Sequence, residues 1–184
     1  MGIKDDIRIA KTDVLKKTQR ILLWNRKKLF YHSFKQHQRK WPVKRGEVCF
    51  VDLGDNIGSE ENELRPCVVL QSNAYNFSSP VFTCAIISRS KPTIPDIQIP
   101  ITGIYSYVDE KGDTRNLCGT IDLGQIKTVA KERIINNIGV ISNEIEEINQ
   151  KLFNALGLTE IITKKDNVIK SLQGRVEYLE KSKG

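Results

Sequence analysis

Apolar residues in the first 40 positions fall at Ile3, Ile7, Val14, Leu15, Ile21, Leu22, Leu29, Phe30 and Phe34, mostly three, four or seven apart. That is the repeat of one helix face, with Lys and Arg filling the other. The spacing predicts helix over this stretch, broken near Trp24–Asn25. Pro42 ends it, because proline cannot continue a helix and biases its predecessor toward extended backbone. From residue 43 the pattern changes to short runs rich in Val, Ile and Cys: GEVCFVDL (46–53), RPCVVLQS (65–72), VFTCAIIS (81–88), DIQIPI (96–101) and NLCGTID (116–122). Turn residues separate them at Gly54–Asp55–Asn56, at 73–76, at Pro92 and at Gly112. Such short strands predict a mainly β (α+β) domain, a small barrel or strongly curved sheet rather than βαβ units. Ile145, Ile148, Leu152 and Leu156 then share a helix face that Gly157 stops. Beyond Leu158, Ile162, Ile169 and Val176 are seven apart, with Leu172 and Leu179 three after the last two. This two-heptad stripe is interrupted by Lys165 and Gly174, and a surface helix docking on its own domain is expected. The chain divides into a basic amphipathic helical extension (1–42), a barrel domain with a closing helix (43–158) and a C-terminal helical extension (159–184).

The composition of the 184 residues, 39% hydrophobic and 28% charged, excludes a wholly disordered, collagen-like or disulfide-scaffold protein. No run approaches the roughly 18 apolar residues of a membrane span, and the opening MGIKDDIRIA lacks the order of a signal peptide. A cytoplasmic protein without a membrane partner is expected. The formal charge of +7 is unevenly placed. Residues 1–45 hold 14 Lys/Arg against three Asp, a net +11, whereas the remaining 139 hold 15 basic against 19 acidic, a net −4. The partner-seeking basic surface is therefore concentrated at the N-terminus. It reads either as a solvated helix packing on the next domain or as a basic arm for nucleic acid or an anionic surface.

Signatures of the commoner hydrolases are missing. There is no HExxH, GxSxG or Walker sequence, and both histidines, His32 and His37, lie in the basic segment. Cys49, Cys67, Cys84 and Cys118 form no CxxC pair, which argues against structural zinc. Each lies in an apolar run and is expected as a buried thiol. Asp52, Asp55, Glu60, Glu61 and Glu63 crowd one loop, where solvated turn acids are the ordinary reading and a metal cluster the chemical one. That loop runs into Arg65–Pro66 at the mouth of an apolar strand. An arginine fixed there can grip a phosphate, or form a structural pair with Glu60 or Glu63.

The stretch 43–76, VKRGEVCFVDLGDNIGSEENELRPCVVLQSNAYN, resembles the MazF/PemK (Kid) family of toxin endoribonucleases. The resemblance rests on Arg45–Gly46–Glu47–Val48 for the family's R-G-[DE]-[VI], on Gly58–Ser59–Glu60, and on Arg65–Pro66 before Val68–Val69–Leu70. Further on, SPVFTCAIIS (79–88) is similar to the strand that ends in the family's catalytic hydroxyl residue. DLGQIKTVAKERI (122–134) is similar to the [LE]-x-Q-I-[KR]-[TS]-[ILV] segment, and Leu156–Gly157–Leu158 matches the usual ending. One departure is the family's G-S-E-Q-x-G-x-R-P loop, which here reads Glu61–Asn62–Glu63–Leu64 before Arg65, with the spacing kept and the glycine gone. The two extensions are the other.

The resemblance implies an SH3-like β-barrel of the CcdB/Kid/MazF type, working as a homodimer. It implies cleavage of single-stranded RNA at short motifs, with no metal or cofactor. The RNA's own 2′-OH would attack the neighbouring phosphorus, leaving a 2′,3′-cyclic phosphate and a 5′-OH. Catalysis falls to Arg65, Ser88 and Glu60, and RNA binding to Ser59, Arg89, Lys91, Gln125 and Lys127, with Lys131 and Arg133 as further local basics. Ser88 stands where many members carry threonine; its hydroxyl orients the 2′-OH or a phosphoryl oxygen, or bonds local backbone. Glu60 contacts bases or supports the arginine, or is a solvated turn acid. Gln125 reads a base edge or satisfies a buried backbone group. The family also implies a cognate antitoxin whose acidic disordered segment occupies the RNA groove. In the basic arm, Trp24, Phe30, Tyr31, Phe34 and Trp41 either stack on bases or bury against the barrel. Two other functions share the fold: an inactive member binding RNA or protein, and a gyrase-directed toxin of the CcdB type. The G-S-E and R-P pairing favours the nuclease over the gyrase-directed toxin, and the retained Arg65 and a hydroxyl at position 88 favour it over the inactive member.

Overall fold

The computed structural model describes residues 3–33 and 42–182, with side chains from residue 13 onward. In chain order the elements are α1 (Ile3–Ser33), β1 (Glu47–Asp52), β2 (Leu64–Val69), α2 (Asn73–Ser78), β3 (Val81–Ser88), β4 (Gln98–Pro100), β5 (Ser106–Val108), β6 (Thr114–Asn116), β7 (Thr120–Ala130), a 3-10 turn (Lys131–Arg133), β8 (Ile134–Val140), α3 (Ile145–Ala155) and α4 (Thr159–Lys181). Six strands form one antiparallel sheet in the order β4-β7-β3-β2-β1-β8, and β5 and β6 pair as a separate hairpin.

Alternation along the central strands sends side chains to two buried faces. Cys49, Val51, Cys67, Val69, Phe82 and Ile86 belong to one cluster, which contains no helix residue. A buried cluster made by one sheet alone requires that sheet to curl over itself. Register shifts between Ala85 and Ile86 of β3, and at two places along β1–β8, supply the bend. Val48, Val68, Ala85 and Ile87 face the other way and meet Ile148 of α3, with Ile145 and Leu152 against them. The curved, barrel-like sheet closed by a C-terminal helix is the architecture expected from the strand pattern.

Several expectations change. α1 runs unbroken through Trp24–Asn25, because one asparagine inside a helix costs no more than about 0.7 kcal/mol. The run expected over 116–122 splits, with Asn116 ending β6 and residues 120–122 opening the longer β7, and two further regions the pattern left unassigned are strands. β8 reads IINNIGV, an outer strand whose paired asparagines hide its period, and β5–β6 is a hairpin of three-residue strands. α4 does not dock on its own domain: none of its residues is buried, and Ile161, Val168, Ile169, Leu172, Val176 and Leu179 are all exposed. Cys118 is exposed, whereas Cys49, Cys67 and Cys84 are buried. Phe34, His37 and Trp41, and the side chains of Ile3 and Ile7, lie outside the described residues. Among the described residues, no helix is long and apolar enough to cross a membrane.

Candidate functional site

Pro66 decides where the molecule opens. β2 pairs with β1 from Leu64 to Val68 but with β3 only from Cys67 onward. A proline has no amide to give to that second ladder. β3 continues instead along β7, with Ser88 opposite Thr120. The two strands part, leaving a groove of about 730 Å³ whose lining includes Arg65, Pro66, Ile87, Arg89 and Ser90. Glu61 enters it from the β1–β2 loop, and Tyr107, Asp109, Arg115 and Cys118 from the hairpin and the segment after it.

Arg65 Nε donates to Glu61 Oε2 at 2.8 Å, with the two side chains 36% and 25% exposed. The structural partner of Arg65 is thus Glu61 and not Glu60 or Glu63. The Nη edge has no partner among the described residues and points its donors at whatever enters. Arg115 is committed elsewhere, to Asp109 at 3.0 Å and Asp113 at 3.1 Å. Besides the Nη edge of Arg65, the groove therefore offers the exposed guanidinium of Arg89. Ser88 is buried at the end of β3, and its Oγ lies 2.6 Å from Ser90 Oγ. This strand end is held close to Gly119, where a Cβ would fall 2.1 Å from the Ser88 carbonyl oxygen and where φ is +128°. Only glycine accommodates both.

Four other candidates stand on the far side of the β1–β2 loop, and Lys91 is exposed beyond the end of β3. Gln125 Oε1 accepts from the Glu61 amide at 2.9 Å, and its Nε2 donates to the Ser59 carbonyl at 3.4 Å. Lys127 Nζ reaches Glu60 Oε2 at 2.7 Å. None of Gln125, Lys127, Glu60, Ser59 and Lys91 lines the groove, and Ser88 lies behind Ser90 rather than in the lining itself. Lys131 donates to the Asn76 carbonyl and Arg133 Nε to the Asp52 carbonyl, so neither is a groove residue. The acidic loop is divided among separate cations, and no three His, Cys, Asp or Glu side chains among the described residues are arranged to hold a metal.

Glu63 takes the place of the glycine missing from the loop pattern and keeps its conformation. At φ +64° it is the only non-glycine residue with positive φ among those described. A left-handed backbone costs such a residue roughly 1–2 kcal/mol, offset here by a closed neck: the Leu53 amide donates to the Glu63 carbonyl at 2.8 Å, and the Glu63 amide to the Gly54 carbonyl at 2.7 Å.

The buried thiols offer no nucleophile. Burial, with Glu47 and Cys84 nearby, pushes the Cys49 thiol up to about 12. Hydrogen bonding with Cys84, followed by burial, raises that of Cys67. Groove residues that the sequence did not single out for the site are Ser90, Tyr107 and Arg115, and Glu61 could not be told from its acidic neighbours. Gly112 was the one turn signal within the hairpin, and no motif marked its side chains.

Residues 44–156 match the family described as PemK-like, MazF-like toxin of type II toxin-antitoxin system. Endoribonuclease EndoA of Bacillus subtilis (strain 168) is 30% identical over 119 residues, covering 64% of this chain and 97% of the relative. The crystal structure of MazF (Form-I) from Deinococcus radiodurans is similar with a TM-score of 0.51 at 15% identity, over 64% of this chain and 99% of that one, a likeness of fold. An endoribonuclease in complex with its cognate antitoxin from Mycobacterial species aligns at a TM-score of 0.47 and 23% identity, over 63% of this chain and 96% of that one. α4 and all described residues of α1 fall outside the matched segment, which takes in more than half of the chain. The chain belongs to the PemK-like, MazF-like toxins of type II toxin–antitoxin systems.

Proposed function

We propose that this protein is the toxin of such a pair and cuts single-stranded RNA in the groove between β2 and β3, without metal or cofactor. The observation that carries the reading is the free Nη edge of Arg65, anchored through Nε by Glu61 at a strand mouth that Pro66 holds open. A guanidinium fixed in this way is preorganised for the charge that develops on phosphoryl oxygens. The attacking group is the RNA's own 2′-OH. Its oxygen bonds to phosphorus as the P–O5′ bond breaks, the 2′-proton is lost and the 5′-oxygen takes one up. The products are a 2′,3′-cyclic phosphate and a 5′-OH. Because attack is intramolecular, in-line placement supplies much of the rate.

Arg65 acts as charge stabiliser rather than proton donor, since arginine stays protonated. Arg89 holds an adjacent phosphate. The Ser88 hydroxyl, through its contact with Ser90, orients the attacking sugar. Glu61, not Glu60, supports the arginine. Glu60, Ser59, Gln125 and Lys127 act by holding the loop. The cognate antitoxin is the partner the family requires, and an acidic segment of it competes with RNA for Arg65 and Arg89. The working form is a homodimer, which light scattering on the purified protein checks.

The deciding experiment incubates purified protein with a weakly structured RNA in EDTA, beside Arg65→Ala, and maps the ends. Cuts that leave 5′-OH ends and vanish in the mutant are expected. RNA binding without cutting by wild type would instead make this a binding protein.

A further inference from the structure

α1 meets the barrel with an unexpected face. Among its described side chains, residues 13–33, only Trp24 and Tyr31 are less than exposed, while Val14, Leu15, Leu22 and Leu29 point to solvent. Trp24 and Tyr31 are seven apart and share a helix face with Arg20 and Lys27. That face lies on the neck of the β1–β2 loop. The Trp24 indole is so close to Gly54 that a Cβ there would fall 2.2 Å from the ring. The Arg133 guanidinium lies 5.0 Å from the same ring's centroid. Lys27 Nζ and Tyr31 OH both donate to Asp52 Oδ2, at 2.9 and 3.0 Å. Arg20 Nη2 stands 3.1 Å from Asp55 Oδ1 and 3.4 Å from Glu63 Oε1. The Asp55 carboxylate is 5% exposed and makes no aligned hydrogen bond, so among the described residues its charge is met by proximity to Arg20.

All three acids at the neck thus receive a cation from α1. Remove the helix and Asp52, Asp55 and Glu63 crowd together with little beyond Arg133 to balance them, at a closure that also keeps Glu63 left-handed. Repulsion and backbone strain then act in the same direction, toward opening. Glu61 lies two residues before Glu63, so its reach to Arg65 depends on the neck staying shut.

We infer that α1 is a strut built into the chain: Arg20, Trp24 and Lys27 are positioning residues that close the loop neck and thereby set Glu61 against Arg65. The effect on cleavage rests on the nuclease reading; the effect on the loop does not. In the full chain, Trp24→Ala is expected to speed amide exchange of residues 54–63 by about tenfold or more while β3 and β7 keep their protection. Single-turnover cleavage falls about tenfold, RNA affinity stays within about twofold, and Trp24→Phe restores both properties. Lys27→Met moves exchange and cleavage the same way by a smaller factor. Unchanged loop exchange overturns the strut. Faster loop exchange with undiminished cleavage overturns the positioning role, and loss of protection throughout β3 and β7 makes Trp24 a fold residue instead. If wild type cuts no RNA, the nuclease reading falls while the exchange measurement still decides whether α1 holds the neck.

Discussion

On its groove side the β1–β2 loop brings Glu61 to Arg65 in a half-exposed pair and leaves the Nη edge free. On its outer side, Gln125, Lys127 and Arg20 bind Ser59, Glu60, Asp55 and Glu63, none of which lines the groove. The residue types are the same on both sides, acids facing cations and amides. What separates them is whether the pair lines the groove. A groove residue acts on the substrate directly, whereas an outer residue acts only through the shape of the loop.

Mutation can break or sharpen that contrast. Arg65→Ala is expected to lower single-turnover cleavage by about 10²–10³-fold, some 3–4 kcal/mol in the barrier, with the melting temperature unmoved. An outer-side variant losing as much would erase the distinction. Glu144 supplies the opposite extreme, a buried carboxylate that neither lines the groove nor bonds the β1–β2 loop. It accepts from Tyr105 OH at 2.7 Å, the Thr102 amide at 2.7 Å, Thr102 Oγ1 at 3.0 Å and the Gly103 amide at 2.9 Å. Glu144→Ala should cost about 3 kcal/mol in urea unfolding, since it strands several donors at once, yet leave cleavage per folded molecule intact. Burial pushes this carboxyl up, but the hydrogen bonds from Tyr105, Gly103 and Thr102 outweigh it and hold it below its ordinary 4.5. Its stabilising contribution is therefore full above pH 4.5 and lost as pH falls through the lower folded value. Wild type should lose stability in that acid window, and Glu144→Ala should lack that part of the loss.

Smaller effects follow on the two sides of the loop. Ser88→Ala removes one hydroxyl contact, about 1.4 kcal/mol or tenfold in cleavage, and Ser88→Thr should retain most of the rate. Gln125→Ala releases the Glu61 amide and the Ser59 carbonyl, for about fivefold through roughly 1 kcal/mol. Lys127→Ala breaks a partly exposed pair worth roughly 0.5 kcal/mol, so about a twofold change is expected. Assays of single-turnover rate at saturating protein rank all three.

The parts legible in the sequence are those governed by local chemistry. Alternating Val, Ile and Cys mark β1 to β3, and Ile145, Ile148 and Leu152 mark α3. Arg65–Pro66 marks the groove, because proline's missing donor has the same consequence in any sheet. What was hidden depends on partners far apart in sequence. Nothing in ENEL says that Glu61 rather than Glu60 meets Arg65; Gln125, 64 residues later, decides it by binding the Glu61 amide. The interrupted two-heptad stripe of α4 predicts docking, and yet it lies exposed, while α1 docks through two aromatic rings and a few charges. Amphipathicity reports which face is apolar, not whether a complementary surface exists. Cys118 looked like its three buried counterparts because its run is apolar, but the strands part at that end of the sheet.

β1 lies between β2, its neighbour in sequence, and β8, which pairs Gly139 with Val48 and Ile134 with Val51. One flank of the strand that leads into the loop thus waits for a segment more than eighty residues further on. Pairings so distant form late, because the intervening chain must be closed first. Arg133, which binds the Asp52 carbonyl and lies against Trp24, arrives with β8. On a ribosome delivering the N-terminus first, β1 and the loop neck stay half-supported until β8 has emerged. Maturation of the groove is thereby timed by the emergence of β8 rather than by that of β1.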